Sequence, residues 1–134
     1  AGPGPAAGAA AAADVFAAAR SGSGLAAFLP AGRDARDEEG LTPLIHAVDA
    51  EQEGAVAELL LAGASANLPD PQGATPLHYA ALLGAGGLAE QLLAAGADPR
   101  LRDEDGATPA EAAKAEGHAE LASVLQEAVA KYQG

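Results

Sequence analysis

Three Thr-Pro pairs set the frame for everything else in this chain. They stand at Thr42-Pro43, Thr75-Pro76 and Thr108-Pro109, two intervals of 33 residues. The surrounding text recurs as EEGLTPLIHAV, PQGATPLHYAA and EDGATPAEAAK, and the first two units run on into LLAGASANLPD and LLAAGADPRLRD. Self-similarity at a fixed period of roughly 20–50 residues marks a repeat architecture, whose units are supersecondary elements that lean on their neighbours. A chain of 134 residues then holds one domain of a few such units, not two ordinary domains.

The local chemistry of each unit reads as a pair of short helices. Thr42, Thr75 and Thr108 sit where a helix N-cap is wanted, and the Pro after each fits the first turn, where no N–H is needed. In the middle unit a helix is expected from about Pro76 to Leu83, stopping near Gly84. A second is expected from about Gly87 to Ala95, with Leu88, Leu92 and Leu93 on one face and Gly96 as the stop. Hydrophobic residues make up 49% of the chain, mostly Ala and then Leu, with two Phe, two Tyr and no Trp. That composition favours helices over a sandwich or barrel of β-branched and aromatic strands.

The run Thr75 to Ala80, TPLHYA, resembles the signature of the ankyrin repeat position for position, and the period matches as well. The resemblance implies an all-α ankyrin-repeat solenoid of three 33-residue repeats with hairpin-like finger loops, one tip lying at Asp103 to Gly106. The repeats are expected at 37–69, 70–102 and 103–134, together forming with a degenerate N-terminal cap (14–36) a domain over 14–134. In the cap, Val15, Phe16 and Ala19 predict one short helix, Gly22 to Gly24 a turn, and Leu25, Phe28 and Leu29 a second helix. Residues 1–13 are Ala/Gly/Pro-rich and read as a disordered linker. The first full repeat departs from the pattern at Ile45, where the signature has His, and at Glu51, where Gly usually separates the helices. The last departs at Ala110 and Glu111, and spreads charge over its second helix at Glu116, Glu120 and Glu127, as a capping repeat would.

Charge and missing residue types narrow the function. Seven Lys and Arg against 19 Asp and Glu give a formal net charge of −12. Such a surface repels phosphate backbones and anionic headgroups, so nucleic acid and direct membrane contact are poor expectations, and basic protein surfaces are better ones. No Cys is present, which removes disulfides, thiolate metal sites and a Cys nucleophile, and fits the reducing interior of a cell. No apolar run approaches the ~20 residues of a membrane span. The chain contains no Met and is read as a piece of a longer protein.

Little in the sequence resembles a catalytic constellation. His78 occupies the signature position, where the resemblance implies hydrogen bonds to neighbouring loop backbone. His118, after Gly117, falls at a turn between helices, and His46 reads as a surface or inter-repeat residue. Roughly one repeat apart, the three cannot share a metal. Ser65 and Ser123 have no nucleophile-elbow context. The glycine groups at 22–24 and 84–87 lack the following Lys-Ser/Thr of a phosphate loop. The acidic runs Asp37-Glu38-Glu39 and Asp103-Glu104-Asp105 lack calcium-loop spacing and read as solvated finger tips. No enzyme activity and no cofactor is expected.

The resemblance also implies where a partner would bind, on a concave face made of finger tips and the exposed side of each first helix. Mapped by register, the tips carry Glu38, Glu39 and Leu41, then Gln72 and Ala74, then Glu104, Asp105 and Ala107; the helices carry Asp49 and Ala50, then Leu82 and Leu83, then Glu116, and Arg102 is a further candidate contact. Leu82 and Leu83, with Tyr79 nearby, form the expected apolar centre within an acidic rim. The partner is expected to be another protein, with a basic or mixed apolar and basic surface. A finer likeness, at Ala47-Val48-Asp49, His78-Tyr79-Ala80, Leu88-Ala89-Glu90 and Arg102 to Gly106, is to the C-terminal ankyrin repeats of large acyl-CoA-binding proteins. It implies that acyl-CoA would be handled by a domain absent from this chain. The other reading is a regulatory or ligand-sensing appendage acting only within its parent.

Overall fold

The computed structural model describes residues 15–22 and 33–133, and among these it contains seven helices and no strand. They are α1 (residues 15–21), α2 (Pro43–Asp49), α3 (Glu53–Leu61), α4 (Pro76–Leu83), α5 (Gly86–Ala94), α6 (Pro109–Ala115) and α7 (Ala119–Gln133). The chain divides into two compact units, Ala1–Ala64 and Ser65–Gly134. The linker expected over 1–13 and the second cap helix expected around Leu25, Phe28 and Leu29 lie outside the described residues.

In the first unit α2 packs on α3. The Thr42 hydroxyl accepts the N–H of Ile45 at 3.3 Å, and Pro43 fills the first turn, so the helix starts where the sequence placed it. Leu44, Ile45, Val48, Val56 and Leu59 are buried, and Val15, Phe16 and Ala19 of α1 are buried as well. The cap's first helix is therefore a core element. Gln52 precedes α3 without capping it; its side chain instead donates to the carbonyl of Arg20 at 3.0 Å.

The second unit repeats the scheme. Helix α4 packs on α5 and α6, and α6 on α7. Leu77, Leu88, Leu92 and Leu125 are buried, and between them Ala80, Ala81, Ala89 and Ala113 let the helices approach closely. Leu93, expected on the same face as Leu88 and Leu92, is only half-buried. The second helix begins at Gly86 and ends at Ala94, one residue earlier at each end than expected. Its counterpart α7 runs 15 residues against nine. Helix α7 turns Leu121, Ala122 and Leu125 inward and leaves Glu120, Ser123 and Glu127 exposed. That is an end helix with one apolar face. Glu116 is not part of it: this residue is the C-cap of α6, three residues before α7 begins at Ala119.

One backbone position recurs in all three full repeats. The turn after the first helix needs a left-handed residue, supplied by Gly84 (φ 72°) and Gly117 (φ 85°), but in the first repeat by Glu51 (φ 57°). A side chain in that region costs about 1–2 kcal/mol through contact of Cβ with the following carbonyl. At Gly84 the space is closed too, since a Cβ would stand 2.7 Å from the His118 ring. Glu51→Gly should therefore stabilise the chain by about 1 kcal/mol, the relieved strain being partly offset by the greater entropy of glycine unfolded. Gly84→Ala should cost about 2 kcal/mol or more, from strain and clash together. Urea unfolding of the two variants checks both signs.

Candidate partner-binding site

The fingers that precede each first helix are built on one aspartate each. Asp37 Oδ1 accepts the N–H groups of Glu39 and Leu41, both at 2.9 Å. Asp70 Oδ1 does the same for Gln72 and Ala74, and Asp103 Oδ1 for Asp105 and Ala107, at 2.9–3.0 Å. Each finger is closed further by backbone bonds such as Asp70 N–H to Ala74 O at 2.9 Å. The acidic runs thus split by role. Asp37 and Asp103 shape their loops, while Glu38, Glu39, Glu104 and Asp105 stand exposed.

The second oxygen of the finger aspartate can reach the first helix. In the middle repeat the Tyr79 hydroxyl donates to Asp70 Oδ2 at 2.6 Å; in the first, His46 Nε2 donates to Asp37 Oδ2 at 2.6 Å. His46 and Tyr79 are 33 residues apart, so the off-pattern histidine is the register equivalent of the tyrosine. That spacing was the available signal for its role. Its other nitrogen, Nδ1, lies 3.3 Å from Arg20 Nη1, and its ring is 5.4 Å from that of Phe16. His46 therefore joins finger to cap, as an inter-repeat residue would.

His78 is buried and spans two repeats. Nδ1 accepts the Thr75 N–H at 3.1 Å, completing a capping box, and Nε2–H donates to the Ala107 carbonyl in the next finger at 2.8 Å. Glu111 closes the equivalent box on Thr108, accepting its N–H at 3.0 Å. Neighbouring fingers also touch directly, Glu104 donating its N–H to Gln72 O at 2.8 Å. His118 Nε2 lies 3.2 Å from the Leu82 carbonyl, between the ends of α4 and α6. The three histidines are thus each engaged with backbone or a finger carboxylate, and no group of three or more metal-ligating side chains occurs among the described residues.

Within the second unit, Leu82 and Leu83 are 45% and 38% exposed at the C-terminal end of α4. Tyr79 lies three and four residues before them, on the same side of the helix, half-buried and held by Asp70. Gln72, Glu104, Asp105 and Glu116 are exposed. Arg102 is exposed but occupied: Nη1 donates to Gly106 O at 2.6 Å and lies 3.6 Å from Glu111 Oε1. The expected residues Glu38, Glu39 and Asp49 belong to the first unit and are exposed there, whereas Leu41 is half-buried with its N–H bound to Asp37. Sequence reasoning passed over Leu61 at the end of α3, at 89% the most exposed large apolar residue among the described residues. It also passed over a groove between α5 and α7. No described helix is long and apolar enough to cross a membrane.

Three carboxylates among the described residues are perturbed. Partial burial pushes the Asp37 carboxyl up, but the Leu41 N–H, the His46 ring and the Glu39 N–H together pull it below the ordinary value of 3.8. The Arg100 side chain beside Asp98 holds that carboxyl low, against a smaller effect of burial. The Thr108 N–H and hydroxyl do the same for Glu111.

Helix pairs at a fixed interval, each preceded by a finger of one design, define a helical-repeat protein. An ankyrin-repeat family model matches residues 15–103 in three copies, and the chain belongs to the ankyrin-repeat family. No curated protein matches the chain. Ankyrin repeats are in general protein–protein interaction modules and are typically not enzymes.

Two outcomes follow from the fingers. Asp37 has a lowered folded pKa, so it adds stability above about pH 4 that is lost as pH falls through the lowered value. The stability gap between wild type and Asp37→Asn should stay level from pH 6 to about pH 4 and narrow below that, read by thermal melts. His78→Ala removes a buried ring and leaves the Ala107 carbonyl without its donor. It should cost about 2–4 kcal/mol in urea unfolding.

Proposed function

We propose that this chain acts by binding rather than by catalysis, and that its second unit docks another protein on the surface around Leu82 and Leu83. The observation that carries the reading is the exposure of these two adjacent leucines, 45% and 38%, in a helix whose other large apolar residue, Leu77, is fully buried. Each exposed leucine covered on binding contributes in proportion to the apolar area removed from water, about 25 cal/mol per Å². Tyr79, pinned by Asp70 at 2.6 Å, offers a rigid aromatic edge at little entropic cost.

The charges beside the leucines favour a partner with a basic or mixed apolar and basic surface. Glu104, Asp105 and Glu116 are exposed, while Arg100 is paired with Asp98 and Arg102 is bound within its own finger. The acid is free and much of the base is spent. Exposed charges of this kind act mainly on association rate and specificity, and their effect falls with salt. The exposed Glu38, Glu39 and Asp49 of the first unit are of the same sign.

The likeness at Ala47 to Asp49, His78 to Ala80 and Arg102 to Gly106 supports a narrower reading, in which the chain is the ankyrin part of a larger acyl-CoA-binding protein. Acyl-CoA would then be bound by a domain outside this chain, since an acidic module is a poor host for its phosphates. A reading frame encoding a helical, Lys- and Tyr-bearing domain upstream of Ala1 is its expected mark. Without one, the narrower reading falls and the binding module stands.

The test is a pull-down from source lysate with wild type and with Leu82→Glu/Leu83→Glu, after circular dichroism confirms that the variant is folded. A partner held by wild type should be lost by at least ~10-fold in the variant, the equivalent of about 1.4 kcal/mol. Equal capture by a folded variant would place binding elsewhere.

A further inference from the structure

His46 joins three elements of the first unit: α2, which carries it, the finger before α2, and the cap helix α1. A carboxylate only accepts, so the 2.6 Å bond to Asp37 Oδ2 in the finger takes the proton of Nε2. Nδ1 of the neutral ring is then an acceptor, and it faces Arg20 Nη1 of α1 at 3.3 Å. A guanidinium only donates and stays charged, so Arg20 can bond to Nδ1 only while that nitrogen carries no proton. The His46 side chain keeps 12% exposure, so water can deliver one.

A second proton on the ring acts differently on its two sides. Toward Asp37 the bond becomes an ion pair and tightens. Toward Arg20 one N–H is set against another, and two cations face each other across 3.3 Å. The other charges nearby are Asp49, one turn further along α2, and Glu38 and Glu39 of the finger, all exposed. Arg36 of the finger donates to the Gly40 carbonyl at 2.9 Å. The buried residues of α3, which packs on α2, are Ala55, Val56 and Leu59, none of them charged. Among the described residues, Arg20 is thus the cation in contact with the ring and Asp37 the anion.

We propose that His46 is a proton-gated latch on the cap: neutral, it ties α1 to α2 through Arg20; protonated, it releases Arg20 and keeps the finger. Histidine is the side chain whose charge ordinarily changes between about pH 5 and pH 8, so the latch works near neutrality. Phe16, whose ring lies 5.4 Å from that of His46, and the Gln52 bond to the Arg20 carbonyl at 3.0 Å do not require a neutral imidazole. Helix α1 therefore loosens at its end without leaving. The middle repeat carries the same finger bond without a latch, since Tyr79 reaches Asp70 Oδ2 at 2.6 Å through a phenol, which does not change charge near neutrality. The latch lies in the first unit and is independent of the Leu82–Leu83 reading. Global stability reports it poorly, because Asp37 and Arg20 act on the charged ring in opposite senses; the cap itself has to be read.

The experiment is amide hydrogen exchange of the ¹⁵N-labelled full chain by NMR at about pH 8 and about pH 6, each rate divided by the intrinsic rate at its pH. The reporter is the Gly22 N–H, bound to the Ala18 carbonyl at 2.8 Å at the end of α1. Its protection should fall about 3-fold or more at the lower pH, the scale of one net hydrogen bond. The finger amides of Glu39 and Leu41, held by Asp37, should keep theirs. In His46→Tyr, which copies the finger bond of Tyr79, Gly22 should be equally protected at both pH values. Arg20→Gln should give the same level result, and as a change at an exposed residue it keeps the test open if His46→Tyr fails to fold. Level protection of Gly22 in wild type, an undiminished fall in either folded variant, or a fall shared by Glu39 and Leu41 would each overturn the proposal.

Discussion

Each finger in this protein hangs on one carboxylate oxygen that accepts two backbone N–H groups. Charge-assisted bonds of this type are roughly twice as strong as neutral ones, and here they replace the strand ladder that a conventional hairpin would use. The aspartate closes a five-residue loop, and the Thr directly after it caps the helix. Finger shape, helix start and the direction in which the first helix leaves are thereby fixed together, three times over, by residues 33 apart. The exposed tip residues are carried on that frame and inherit its rigidity.

The repeats differ in how they brace this common element. The first ties its finger to α2 through His46 and has no capping box, because Ile45 cannot accept the Thr42 N–H. The last has a box through Glu111, but Ala112 stands where a side chain would reach Asp103. Only the middle repeat has both, through Tyr79 and His78. A second brace shows the same economy. Gln52 reaches the Arg20 carbonyl and His118 the Leu82 carbonyl from equivalent places at the start of a second helix. Loss of any one brace is therefore local in effect, while the aspartate pattern is shared.

Much of the fold was legible because its signals are local. Thr-Pro fixes a helix start, Gly at 84 and 96 a stop, and Leu at helical spacing an inward face, and these held except at Leu93, which is only half-buried. What the sequence hid depends on side chains reaching across the fold. His46 looked anomalous until its distance to Asp37 showed it doing the work of Tyr79. Arg102 looked like a free contact residue, yet its guanidinium is turned back onto Gly106. Glu51 was recognised as a missing glycine, but only the backbone shows that the left-handed turn is kept in spite of it. The groove between α5 and α7 was least legible, since three of its lining residues are glycines that read in sequence as mere turns. Exposure of Leu82 and Leu83 was foreseen by register; exposure of Leu61 was not, because a Leu-rich helix does not announce which leucine is left over.

The central functional claim is that a partner meets the end of α4 rather than another apolar spot on the surface. Leu61 in α3 is the strongest competitor, being twice as exposed as Leu82. The direct measurement places a photo-crosslinking residue at Leu83 in one preparation and at Leu61 in another, and illuminates each in source lysate. The account predicts a discrete adduct from position 83 that excess unlabelled wild type abolishes, with none from position 61. A competed adduct from position 61 and none from 83 would contradict it.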